Sequence, residues 1–190
     1  MTSSFDARPI IVALAGPNGA GKTTFYGAHV ARAGLRFVNA DDLAHELGID
    51  AYEAARVAKS LREALVEQRE SFVFETVFSD LVGDKLEFLR RTSALGYTVV
   101  LCFIGLESPE LSDERVAMRV MQGGHDVPGD KLIVRYPRTL ENLRRAINEL
   151  PHVLIFDNSD LVRPFRKVAE FERGRQVELN EPVPAWLDIG

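Results

Sequence analysis

The chain has 190 residues, 46% of them hydrophobic and 27% charged, with a formal net charge of −5 and one cysteine. That length suits one domain, expected over residues 1–190, whose core needs neither disulfides nor structural zinc. The acidic balance argues against a broad nucleic-acid face, no apolar stretch approaches membrane-spanning length, and Cys102, alone inside an apolar run, fits a reducing cytoplasm.

The first expected strand, 10–15, reads IIVALA and runs directly into Gly16-Pro17-Asn18-Gly19-Ala20-Gly21-Lys22-Thr23. This is a complete GxxxxGK[ST] phosphate loop, followed by Thr24 and a helix-compatible stretch over 23–33. Glycines let consecutive backbone N–H groups turn inward around phosphate oxygens, and the helix start adds partial positive charge. Lys22 can reach the β- and γ-phosphates, and the Thr23 hydroxyl is placed to ligate Mg²⁺. The pattern therefore predicts binding of a nucleoside triphosphate, ATP with Mg²⁺, on residues 16–24.

A second short strand, 35–38, ends in Asn39-Ala40-Asp41-Asp42. Ligands of α/β sheets gather beyond the carboxyl ends of strands, so Asp41 is a candidate base for an acceptor hydroxyl during phosphoryl transfer. Asp42 is expected to cap the following helix. Alanines and leucines at helical spacing predict a helix over 51–69. The third strand, 71–75, ends in Glu75-Thr76, with Ser79 close behind. A carboxylate and hydroxyl there suit a polyol substrate or the magnesium shell.

A helix over 81–94 leads to the fourth strand, 97–104, which contains Cys102. Ser108-Pro109 supplies an N-cap and first-turn proline for a helix reaching about Met121. The break Gln122–Gly129 holds three glycines and a proline between Arg115 and Arg119 on one side and Arg135 and Arg138 on the other. It predicts a small lid over about 115–138, which excludes water and brings cations to the transferring phosphoryl group. In the helix over 131–149, Ile133, Tyr136, Leu140, Leu143 and Ile147 are expected to face the core. Pro137 should kink that helix or mark a junction. The fifth strand, 152–156, ends in Asp157-Asn158-Ser159, open to an adenine contact, a magnesium carboxylate or an Asx turn. Residues 161–179 read as a hairpin turning at Glu172–Arg175. His29, His45 and His152 carry no assigned role. The sum is an α/β fold of the P-loop NTPase, nucleotide-kinase-like kind, with a parallel sheet flanked by helices and a C-terminal antiparallel addition.

The ordered set of phosphate loop, Phe37–Asp41, Ser71–Thr76, Gly123–Pro128, Arg135–Leu143 and Phe156–Ser159 resembles the zeta-toxin-like P-loop kinases, over about residues 8–175. The resemblance implies phosphorylation of a hydroxyl of UDP-N-acetylglucosamine and an antitoxin protein as partner. It further implies Lys22, Asp41 and the lid residue Arg119 as catalytic groups and Thr23 as the metal residue. On the substrate it implies Glu75, His125, and Thr76 or Ser79 for the sugar-contacting hydroxyl, because the family's Glu-Gly-Thr is here Glu75-Thr76-Val77. Arg135 and Arg138 complete the expected substrate set. Two other readings stand beside this one. The acceptor could be a sugar acid, nucleoside or polynucleotide end, or the chain could be a regulatory ATPase that transfers nothing.

Overall fold

A computed structural model describes residues 7–121 and 128–188. Its seven strands are β1 (Ile10–Ala15), β2 (Arg36–Val38), β3 (Phe72–Thr76), β4 (Thr98–Gly105), β5 (His152–Asp157), β6 (Arg166–Glu172) and β7 (Arg175–Leu179). They form one sheet in the order β2-β3-β1-β4-β5-β6-β7. The first five pair in parallel, and β6 and β7 add antiparallel, turning at Arg173-Gly174. The expected C-terminal hairpin is thus present. It continues the sheet beyond β5, where no helical crossover is needed.

Helices cover both faces. They are α1 (Lys22–Phe25), α2 (Ala40–Leu47), α3 (Ala51–Glu67), α4 (Asp84–Ala94), α5 (Pro109–Met121) and α6 (Gly129–Glu149). Strand alternation sorts the core into two layers. Ile11, Ala13 and Ala15 face the α3, α4 and α6 side, with Phe74, Leu86, Leu143 and Ile147. Ile10, Val12 and Leu14 face the α1 side with Phe25, Val30 and Cys102. All six β1 residues are fully buried, which is why the run reads as continuously apolar rather than alternating.

Three expectations need correction. The helix expected over 23–33 is composite: α1 passes into a π turn, Tyr26–Val30, and a 3₁₀ turn, Ala31–Ala33, stopped by Gly34 at φ 65°. Phe25 and Val30 are both buried; a five-residue spacing returns to one face through i→i+5 bonding but not at 3.6 residues per turn. The cap of α2 is Asn39, not Asp42: the Asn39 side chain accepts from the Asp41 N–H at 2.9 Å. In α6, Leu132 is buried in place of Ile133, which is 61% exposed, and the helix runs without a junction through Pro137. The buried series Leu132, Tyr136, Thr139, Leu143, Ala146 is the better helical stripe, and its member Thr139 and the adjacent buried Asn142 are polar for a reason given below.

Candidate active site

The phosphate loop connects β1 to α1 and is held on three sides. Gly16 (φ 145°) lies so close to β4 that a Cβ would stand 2.1 Å from the Ile104 carbonyl oxygen. Only glycine fits there, and the contact seats the loop directly on the sheet. At the loop's crown, Ser112 of α5 donates its hydroxyl to the Asn18 carbonyl at 2.6 Å. At its end, the Asn158 amide donates to the Ala20 carbonyl at 2.9 Å while its oxygen accepts from the Phe165 N–H at 3.2 Å.

The sheet order then decides what meets this loop. Because β3 lies between β1 and β2, the tips of β2 and β3 adjoin the phosphate site. Glu75, the fourth residue of β3, accepts a hydrogen bond from the Thr23 hydroxyl at 2.8 Å. Asn39 donates from the β2 tip to that same oxygen at 3.4 Å, and the other Glu75 oxygen is 3.7 Å from the Lys22 ammonium. Lys22 is 5% exposed and also donates to the Pro17 carbonyl at 3.0 Å. A buried ammonium needs such partners, because desolvation of an unpaired charge is costly. The Thr23 hydroxyl and Glu75 carboxylate form a pair of hard oxygen donors, the chemistry Mg²⁺ prefers; with so few protein ligands, phosphate oxygens and water would supply the rest. Among the described residues there is no cluster of three His, Cys, Asp or Glu able to hold a metal by itself.

A cavity of about 630 Å³ opens in front of this junction. Lys22, Asp41, Glu75, Thr76, Ser79, Arg135 and Arg138 all line it, so the structure brings together residues from α1, α2, β3, the loop after it and α6. Asp41 is exposed in the first turn of α2, and Asp42 beside it is driven above the usual carboxylate range by burial, then by Asp41 and Glu46. The Thr76 hydroxyl accepts from the Phe78 N–H at 3.0 Å and keeps its own O–H to donate. Phe78 takes φ 63°, and α6 holds this strained turn. Thr139 donates to the Val77 carbonyl at 3.1 Å, and Asn142 donates to the Phe78 and Asp80 carbonyls at 2.9 and 3.1 Å. These buried polar residues on the core face of α6 shape the cavity wall; nothing in the sequence distinguished them from ordinary helix positions.

Other expected residues are not among those seen to line the cavity. Arg119 sits on α5, its side chain outside the described residues, and His125 falls within 122–127, also outside them. Residues 115–121 and 129–138 of the expected lid belong to α5 and α6. Asp157 ends β5 and is held by neighbours of its own. It accepts from Ser159 (N–H at 3.2 Å, hydroxyl at 2.6 Å) and from the Trp186 indole at 3.1 Å, and pairs with Arg166 at 3.6 Å. The Asx turn, one of its three expected readings, is present. Cys102 is fully buried, and burial, aided by Glu170, pushes its thiol pKa up to about 12. Sequence reasoning missed Lys59, Arg62 and Lys85, which line the cavity from α3 and α4. In sequence they look like the solvated face of amphipathic helices. With them the cavity has six cationic side chains against three acidic ones, in a chain whose net charge is −5. That local excess favours anionic ligands.

Residues 38–169 match the family model described as Zeta toxin; the phosphate loop precedes the matched span. Among solved structures, the chain is similar to the AvrRxo1-ORF1:ORF2 complex crystallised with ATP. There the identity is 19% and the TM-score 0.70, over 99% of this chain and 67% of that one. It is also similar to a chain of the PezAT chromosomal toxin–antitoxin system of Streptococcus pneumoniae, with 21% identity and TM-score 0.62, over 87% and 72%. A gluconokinase from Sinorhizobium meliloti shares the fold at 20% identity and TM-score 0.50, over 83% and 85%. A comparison with curated proteins finds no match. Among the described residues, no helix is long and apolar enough to cross a membrane.

Proposed function

The chain belongs to the zeta-toxin family of P-loop phosphotransferases, and on that premise we propose that it transfers the γ-phosphoryl group of ATP to a hydroxyl of UDP-N-acetylglucosamine. The observation that carries the proposal is the meeting of Lys22, Thr23 and Glu75 at the rim of a cavity that Asp41, Arg135 and Arg138 also line. In this reading the phosphate loop, 16–24, binds the triphosphate, and Thr23 with Glu75 would hold Mg²⁺. The metal's contribution is to neutralise charge on the phosphate oxygens. Lys22 withdraws charge from the γ-phosphate, and Arg135 and Arg138 approach from the acceptor side. Asp41 accepts the proton of the acceptor hydroxyl as its oxygen bonds to the γ-phosphorus and the bond to ADP breaks. Thr76 or Ser79 supplies the hydroxyl that contacts the sugar, and Arg119 and His125 are kept as the lid's cations. The roles of Lys22, Asp41, Glu75, Thr76, Ser79, Arg135 and Arg138 are supported by position around one cavity.

The AvrRxo1 and PezAT relatives were each solved as part of a two-component system. By that likeness we infer a neutralising protein partner for this chain, acting in the cytoplasm where ATP is abundant. The test is ADP release with UDP-N-acetylglucosamine present and absent, followed by mass spectrometry of the product. Acceptor-dependent ADP release and a phosphorylated UDP-sugar are expected. A product on a sugar acid, nucleoside or polynucleotide end instead would reassign the acceptor. Acceptor-independent release alone would make the chain a regulatory ATPase.

A further inference from the structure

Beyond the large cavity lies a second of about 150 Å³ between α3 and α4, and the two share Lys59, Arg62 and Lys85. Arg62 stands at their junction in an unusual condition. Its guanidinium lies 5.0 Å from the Phe74 ring centroid and 5.8 Å from that of Phe88. Its Nε is shut off from solvent with no hydrogen-bond partner. Among the described residues it makes no ion pair, and the adjacent carboxylate, Glu63, is engaged by Arg91. Burial lowers its pKa, with Glu63 opposing, yet a guanidinium keeps its charge throughout the physiological range. Aromatic faces offset only part of the cost of desolvating a cation. A charge held in a cavity wall without a counter-ion is set up for one that arrives from outside.

Resting on the kinase reading above, we propose that Arg62, flanked by Lys59 and Lys85, receives an anionic group of the acceptor and so selects phosphate- or carboxylate-bearing acceptors over neutral ones. The guanidinium's planar fork suits both anions bidentately. Phe74, on which it lies, immediately precedes Glu75 in β3. Asp41, Glu75, Lys59, Arg62 and Lys85 line the same cavity, so an acceptor with its hydroxyl at Asp41 and Glu75 extends its charged end along the α3–α4 side to Arg62 and stops short of the smaller cavity, which Glu63, Asp84 and Glu87 also line. Arg62 is a specificity residue here, remote from the transferring phosphoryl group.

The test is calorimetry on the full chain, saturated with Mg²⁺ and a non-hydrolysable ATP analogue so that the phosphate loop is occupied. UDP, inorganic pyrophosphate and gluconate are titrated beside the neutral uridine and N-acetylglucosamine. At least one anion is expected to bind where its neutral counterpart does not. Arg62→Gln should weaken that binding about 10–100-fold, and Arg62→Lys should restore part of it. A response to UDP or pyrophosphate identifies phosphate recognition; a response to gluconate alone identifies a carboxylate. Analogue binding reports whether each variant folds. Should Arg62→Gln not fold, the solvent-exposed Lys59→Gln carries the test, with binding about two- to fivefold weaker. Anions binding no tighter than neutral probes, or binding that neither substitution changes, overturns the proposal. Arg62-dependent anion binding without transfer to any acceptor would sink the kinase reading and leave this one standing. Equal transfer to neutral and anionic acceptors would do the reverse.

Discussion

Replacing Asp41 with asparagine isolates the proposed proton acceptor with little structural disturbance. The α2 cap is made by the Asn39 side chain on the Asp41 backbone N–H, which the substitution retains. Asp41 is exposed, so the loss in stability is the favourable interaction of one carboxylate with a helix N-terminus, about 0.3–1 kcal/mol. The phosphate loop is untouched, and Lys22, Thr23 and Glu75 keep their mutual contacts. A positioned general base contributes about 10²–10⁴ in rate, which is about 3–5 kcal/mol of barrier. Asp41→Asn should therefore lower kcat for transfer to UDP-N-acetylglucosamine by two to four decades while ATP affinity stays within about twofold. The assay pairs steady-state ADP release with calorimetric ATP binding on the same preparation. Full transfer by the variant would refute the assignment of the base, and a parallel loss of ATP binding would refute the separation of acceptor and nucleotide ends.

Gly16→Ala puts a Cβ 2.1 Å from a backbone oxygen at φ 145°; the expected loss is about 3 kcal/mol, seen as a melting point lower by about 6–12 °C, and an unchanged melting point would contradict the packing. Asn142→Ala strips donors from the Phe78 and Asp80 carbonyls, at a cost of about 2 kcal/mol; kinetics should show a raised KM for the acceptor and an unaltered KM for ATP. Cys102, its thiol pushed up to about 12, should resist iodoacetamide at pH 8 in the folded chain, as mass spectrometry will show. The linkage has a definite sign: the folded state holds this proton more tightly than the unfolded one, so stability present below pH 9 is lost as pH rises from 9 toward 12. Alkaline melts that stay flat across that window would count against the burial of the thiol.

Five strands, the C-terminal hairpin and most helices were legible because the signals that specify them are local: apolar runs, helical spacing, Ser108-Pro109, and Arg173-Gly174. Where local signals competed, reading them singly failed. Asn39, Asp41 and Asp42 are all competent caps, and the chain's exit from β2 selected Asn39. Ile133 and Leu132 are equally apolar, and only the packing of α6 decided that Leu132 goes inside. Arg62 was overlooked for a similar reason, since an arginine on an amphipathic helix ordinarily faces water.

By itself the sequence determined the nucleotide end, because a phosphate loop is built from consecutive residues whose backbone freedom and side-chain chemistry are written in order. The acceptor end could not be read that way. Glu75 meets Thr23 across 52 positions of chain, and the meeting exists because β3 pairs with β1 and carries β2 along its outer edge. Thr139 and Asn142 reach the loop after β3 across more than 60 positions. Strand partners and helix docking are set by the joint burial of surfaces far apart in the chain, so the cavity, its cationic wall and the place of Arg62 in it came into being only when the layers closed.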